Sequence, residues 1–272
     1  MQQRNFNFSY MFQYNDINIY EKGNRAYNTT YKYHLAEFGF SDVWYKNFRF
    51  GLGLRFEYYK YKDFLFKQPE LIDLKVESEH FLSYFAQIHY NTYDKGYFPA
   101  KGSDFKAAYS LYTDNMAQYN EHAPFSALSA SWASVLPITR RFSVIPSIYG
   151  RILIGRNFPY PLQNAIGGEV PGFYIPQQLP FAGVNNIELM DNAIMIASLK
   201  FRQRMGAIHY LILTGNYGLT DSHFFKILKG KQLFGISAGY GMDSVFGPLE
   251  ISLGYSNQTD KASCFVNLGY YF

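Results

Sequence analysis

Five residues, Gly235-Ile236-Ser237-Ala238-Gly239, spell the Gly-x-Ser-x-Gly pattern that in a hydrolase lifts a serine oxygen onto a sharp strand-to-helix turn. Around Ser237, however, Phe234, Ile236, Ala238 and Tyr240 alternate with the glycines. The serine therefore sits inside a strand, on its small-residue face, where no nucleophile elbow can form. A base would have to come from His34, His80, His89, His122, His209 or His223. Ser222 and His223 are chain neighbours, and adjacency alone does not make a nucleophile and base pair. No catalytic residue is expected in this chain. The histidines, Cys264 and the carboxylates lack metal-ligand spacing, so no metal and no cofactor is expected either.

A second chemical cluster is Lys200, Arg202 and Arg204 on one face of a strand, with Ala197, Leu199 and Phe201 opposite. Should that strand cross a membrane, the charges must face inward, because cations facing lipid are costly near the midplane. They would form a basic wall that holds a plugging loop or attracts an anionic substrate, or a solvated wall with ion pairs to Glu57 or Glu188. Nucleic-acid binding is not expected, since a net charge of +4 is modest and the basic residues are scattered.

The elements that position these residues are strands. Phe6, Phe8, Tyr10, Phe12 and Tyr14 alternate with polar neighbours, and Phe48, Phe50, Leu52, Leu54, Phe56 and Tyr58 alternate with Arg49, Gly51, Gly53, Arg55 and Glu57. One face is apolar and the other is small and polar with scattered charge, which suits a wet barrel lumen better than a solvated surface. The 272 residues include 26 Tyr and 26 Phe, 20% aromatic in all, with 17% charged, and that excludes disorder. One cysteine excludes a disulfide scaffold. No apolar run approaches the roughly 20 residues of a membrane helix.

Twelve strands are expected, near 5–15, 29–41, 47–61, 79–93, 103–114, 124–137, 141–155, 191–205, 207–219, 232–243, 248–257 and 263–272. Most reach the roughly 9 to 11 residues that cross a bilayer when tilted. Long connections, at 16–28, 62–78, 115–123, 156–190, 220–231 and 258–262, alternate with short ones, as in outer-membrane barrels with short periplasmic turns. Tyr58, Tyr59, Tyr61, Tyr93, Tyr97, Tyr270 and Tyr271 are expected in interfacial girdles. The last strand ends on alternating Tyr270 and Phe272, which resembles the assembly signal of bacterial outer-membrane barrels.

Three C-terminal segments, Phe234 to Gly241, Phe246 to Tyr255 and Asn267 to Phe272, resemble the last strands of the bacterial surface antigen superfamily. That superfamily includes barrel-assembly insertases, two-partner-secretion transporters and barrels fused to patatin-like phospholipases. The resemblance implies that the 156–190 connection enters the lumen. Within it, Ile166 to Tyr174, containing Gly167, Gly168, Pro171, Gly172 and Phe173, and Pro176 to Gly183 look like the patatin-associated branch of Bacteroidetes-type bacteria. Tyr97 to Gly102 is similar to the same branch. Pro171 stands where the insertases have an arginine, so an insertase-type lock between loop and wall is not expected. Family barrels have about sixteen strands after periplasmic domains, and Met1 to Asn5 shows no apolar leader segment. The chain is therefore expected to be the C-terminal part of a longer protein.

Taken together, residues 1–272 are expected to form an all-β antiparallel transmembrane barrel of about twelve strands, alone or as part of a sixteen-stranded one, in the outer membrane of a Gram-negative bacterium. Its partners would be outer-membrane lipid and lipopolysaccharide, the barrel-assembly machinery and an N-terminal patatin-like passenger that it anchors, exports or displays. The alternatives are a self-contained passive channel or structural barrel, and an outer-membrane phospholipase.

Overall fold

A computed structural model describes residues 3–44, 46–66, 78–114, 119 and 123–269. The first seven strands are β1 (Gln3–Glu21), β2 (Asn24–Trp44), β3 (Phe48–Phe66), β4 (Glu79–Asn91), β5 (Gly102–Tyr112), β6 (Phe125–Pro137) and β7 (Phe142–Ile154). Three short strands follow, β8 (Asn164–Ile166), β9 (Gln178–Leu179) and β10 (Leu189–Asp191). Five long ones complete the chain: β11 (Ala193–Arg204), β12 (His209–Asp221), β13 (Lys231–Ser244), β14 (Gly247–Ser256) and β15 (Ala262–Leu268). The long strands pair in chain order as one antiparallel sheet of twelve, and the short ones form a separate sheet in the order β10, β8, β9. The all-β, twelve-stranded reading of the alternation therefore holds.

Alternation fixes which side chains face which way, because successive residues of a strand point to opposite faces. Outward positions carry Phe6, Phe8, Leu54, Ile148, Leu213, Ile236 and Leu253, all exposed. Inward positions carry Gly51, Arg55, Glu57, Ser83, Asn216 and Ser237, four of them buried polar groups. Apolar outside and polar inside is the inverse of a water-soluble protein and is what a lipid-facing barrel requires. The sheet curls so that distant strands meet, although β1 and β15 are not paired with each other among the described residues. Lys95, in the turn after β4, reaches Asp243 at the end of β13 at 3.0 Å. At the other end of the barrel Lys261, just before β15, donates to the Gly23 carbonyl and to Asn24 at 3.0 and 2.9 Å.

The first connection departs from expectation. Instead of a long loop over 16–28, β1 and β2 run on to a turn of Lys22 and Gly23, both at positive φ (49° and 72°). A two-residue hairpin of this kind needs left-handed backbone at both positions. Asn15, Asp16 and Asn18 look like loop chemistry, but Ile17 and Ile19 are buried on the inward face and hold the strand extended. Tyr59 and Tyr61 also differ from expectation. Both point inward and are buried, with Tyr59 packing on Tyr33 at 4.8 Å, so neither belongs to a lipid girdle.

The main core lies inside the barrel. Ile17, Tyr33, Tyr59, Phe81, Tyr112, Phe125 and Leu153 from the wall pack on Leu162, Ala165, Ile175 and Ile187 of the long connection. Within this core Glu57 accepts hydrogen bonds from Tyr33 and Tyr59 at 2.8 and 3.0 Å and from Tyr112 at 3.1 Å. Three hydroxyl donors satisfy a carboxylate that burial would otherwise penalise.

Candidate functional site

The long connection 155–192 folds back into the barrel, and its docking residues form the most elaborate polar site in the described chain. Asn164 starts it: its side-chain amide donates to the carbonyls of Arg151 and Asn192 at 2.8 Å each, bridging the two ends of the loop. The Arg151 guanidinium donates to the Leu162 carbonyl at 2.7 Å. Further in, Tyr149 donates to the Pro180 carbonyl at 2.8 Å, and Asn216 accepts from the Ala182 amide at 2.8 Å. On the β1 side the Tyr20 amide donates to the Ile187 carbonyl at 2.8 Å, and Glu188 accepts from the Gly23 amide at 3.1 Å. The loop thus ties β1, β7 and β12 together across the lumen.

Glycines make the close approach possible. A Cβ on Gly235 would strike the Ala182 carbonyl and the Phe181 ring, and one on Gly183 would strike the backbone of Tyr255. Gly183 also takes a φ of +74°, which side chains rarely adopt. The same holds for Gly168 and Gly172, at +62° and +69°, which turn the 167–178 segment back so that the Gly172 amide donates to the Gln178 carbonyl at 3.2 Å. The Gly167 amide donates to Leu179, its carbonyl accepts from the Gln178 side chain, and Phe173 meets Phe265 of β15 edge-on at 5.7 Å. Pro171 is exposed, and it has no hydrogen bond to the wall among the described residues. Two residues earlier, Glu169 makes that contact: its carboxylate accepts from Ser237 Oγ at 3.1 Å and from the Gly183 amide at 3.3 Å.

Ser237 is therefore a docking residue, 3% exposed, inward-facing and committed to a loop carboxylate. Ser222 Oγ lies 3.0 Å from His223 Nδ1 in the exposed connection after β12, with no third group orienting the ring among the described residues. The other described histidines are spent elsewhere: His34 on Tyr10, His89 on Asp104, His209 on Tyr240 and His80 over Phe56. His122 lies outside the described residues, as do Tyr270 and Phe272. No metal-ligating cluster occurs among the described residues.

Lys200, Arg202 and Arg204 point inward but do not act as a unit. Lys200 lines a cavity with Glu169, Ser237 and Glu250 beneath the loop. Arg202 donates to the Pro99 carbonyl and lies 5.6 Å from the centre of the Tyr210 ring. Arg204 donates to the Gly206 and Ala207 carbonyls at 2.7 and 2.9 Å. None pairs with Glu57 or Glu188, because Glu57 is held by its tyrosines and Glu188 by the first hairpin. Arg202 leads to a second plug that the sequence did not reveal. The turn 92–101 crosses the opposite mouth, burying Phe98 against Tyr210 with ring centroids 4.4 Å apart. Lys95 of that turn is partly desolvated, yet its contacts with Asp243 and Tyr210 hold its ammonium above the usual lysine range. Signals for the two contacts were present: a Phe-Pro pair in a turn, and a glutamate directly after Gly-Gly in the long loop.

With both plugs in place, the family model described as the OMP85 superfamily matches residues 2–272. Among solved structures, BamA from Haemophilus ducreyi lacking POTRA domains 1-3 superposes with a TM-score of 0.65 at 12% identity, over 93% of this chain and 56% of that one. CdiB from Escherichia coli superposes with a TM-score of 0.60 at 13% identity, over 94% of this chain and 46% of that one. This chain spans about half the length of either. No curated protein matches the sequence.

Proposed function

This chain belongs to the OMP85 superfamily, and on that premise we propose that it is an outer-membrane barrel that anchors, and exports or displays, an N-terminal patatin-like passenger, with no catalysis of its own. The observation that carries the reading is the contact between Glu169 of the loop and Ser237 on the inward face of β13. It turns the only hydrolase-like motif into a docking point and holds a plug where an open pore would otherwise run. The patatin branch rests on the resemblance of 166–183 and 97–102, and the outward apolar face supports residence in lipid.

Conductance in planar bilayers tests the sealed barrel. Wild type should carry little steady current, and deletion of 156–190 should open a large pore; a steady pore in wild type would sink the reading. The passenger is tested by reading the transcript upstream of codon 1, where in-frame patatin-like or periplasmic-domain coding is expected and an unrelated gene overturns it. A passive channel is the second reading. A cavity of about 970 Å³ beside the loop, lined by Arg55, His89, Lys106 and Arg151, favours it, and the same current measurement decides.

A further inference from the structure

On the outward face of β11 to β14 the wall is not flat. Gly215 points outward, and a Cβ built on it meets nothing within 4 Å. Around it Leu199, Tyr217, Phe234, Ile236 and Tyr255 stand up as the walls of an open hollow of about 490 Å³. Register places them together: Gly215 pairs with Leu199 on one side and Ile236 on the other, Tyr217 with Phe234, and Ile236 with Tyr255. Apolar floor, aromatic sides and an open mouth suit an alkyl chain lying along the wall.

The end of the hollow is also informative. Six residues separate Gly215 from Asp221 at the top of β12, about 20 Å of strand at the usual rise. With an ordinary strand tilt of about 40°, that is roughly 15 Å of depth, the thickness of one hydrocarbon leaflet. Above it the connection Ser222 to Gly230 carries a short 3-10 helix, Phe224–Lys229, fastened by buried Ile227. Phe225 and Leu228 are 91% and 81% exposed. Lys226 and Lys229, each directly after one of them, are exposed with no ion-pair partner among the described residues, and the Asp221 carboxylate accepts from the His223 amide. Exposed apolar side chains interleaved with cations form an interfacial element that inserts at the headgroup level and attracts anionic lipid.

We propose that this face is a specific site for a phosphorylated, multiply acylated outer-leaflet glycolipid of the lipid A type. One acyl chain lies in the hollow with its end at Gly215, Phe225 and Leu228 enter the leaflet beside it, and the phosphates sit on Lys226 and Lys229. The proposal rests on the reading that the outward face meets lipid. It goes further by naming one site, one lipid class and the residues that select it.

The test is native mass spectrometry of the folded chain taken from phosphatidylethanolamine vesicles doped with purified lipid A or, separately, with phosphatidylglycerol. Wild type should retain one lipid A and should prefer it over phosphatidylglycerol. Gly215→Leu, whose side chain enters open space, and the double variant Lys226→Glu, Lys229→Glu should each lower lipid A retention about tenfold, a loss near 1.4 kcal/mol. Heat-modifiable gel mobility reports whether each variant is a folded barrel. Equal retention by Gly215→Leu, or equal retention of the two lipids in wild type, overturns the site while leaving the membrane barrel standing. A Gly215→Leu variant that changes oligomeric state and not lipid retention assigns the hollow to a second copy and likewise overturns it. Failure of the wild-type chain to insert into any vesicle overturns the site and the barrel reading together.

Discussion

Phe98 lies nearly parallel to Tyr210, with ring planes 14° apart, although one comes from the turn after β4 and the other from β12 far around the wall. Phe98 takes a φ of 46°, unusual for a bulky residue, and still buries to 7% exposure. A bulky side chain held in left-handed backbone is strained, so packing must hold it there. Gly241 makes room, since a Cβ there would press on the Phe98 ring at 2.9 Å.

Removing the ring should release the turn. Phe98→Ala is expected to lose about 3 kcal/mol of docking, the scale of a buried phenylalanine truncation. Lys95 and Lys101 then become trypsin sites in the folded, detergent-solubilised barrel, while wild type stays intact there. Tyr210→Phe keeps the stack and should remain protected. Cleavage of wild type as fast as Phe98→Ala would show that the turn does not seal the mouth.

At the loop, the two partners of the Glu169 to Ser237 contact should behave unequally. Ser237→Ala removes one donor and should cost about 1 kcal/mol. Glu169→Ala strands the buried serine hydroxyl and the Gly183 amide, which costs about 1 to 3 kcal/mol for each unsatisfied group. Amide exchange across 167–184 should therefore speed up more in Glu169→Ala than in Ser237→Ala. Lipid hydrolysis should be absent from wild type and from both variants; activity lost on Ser237→Ala would restore the hydrolase reading.

The wall was far more legible in the sequence than what fills it. Each strand facing lipid on one side and a small-residue lumen on the other alternates by necessity, so all twelve could be read, and the inward placement of Ser237 and Arg202 followed from parity alone. The segments of β1 and β2 beyond about residue 15 were obscured because their outward positions, such as Asp16 and Asn18, are polar and lose the apolar stripe. Tyr59 and Tyr61 were misplaced because an aromatic near a strand end suits a girdle and a plug core equally well. Only parity with Glu57 separates them. Where Phe98 and Glu169 dock depends on residues more than a hundred and nearly seventy positions away, respectively, and no local pattern encodes that.

Gly235 offers a direct test of plug docking that leaves the strand alternation intact. A β-branched residue suits the strand, so Gly235→Val should not weaken the ladder with β12 or β14. Its side chain would occupy the space of the Ala182 carbonyl and the Phe181 ring and would push the loop off the wall. The expected result is a folded barrel whose conductance approaches that of the loop deletion. A Gly235→Val barrel as silent as wild type would mean that the loop seals the lumen without this contact.

Glu188 should make the outer fastening of the loop pH-sensitive. It is 6% exposed, its carboxylate accepts from the Gly23 amide, and its carbonyl accepts from Gln258 at 3.4 Å. Burial pushes its carboxyl above the usual carboxylate range, against the opposing pull of the Gly23 amide, Lys261 and Lys231. A carboxyl whose folded value lies above its unfolded value, about 4.3, binds its proton more tightly when docked. Its contribution is complete below the unfolded value and is lost as pH rises through the folded one. Tryptic cleavage after Lys22 and Lys261 should accordingly be slower near pH 4 than near pH 7, once corrected for enzyme activity on an unfolded reference. Glu188→Gln keeps an acceptor for Gly23 without the charge, so it should be equally protected at both pH values and firmer than wild type at neutral pH. A pH slope that survives in Glu188→Gln would assign the effect to another group.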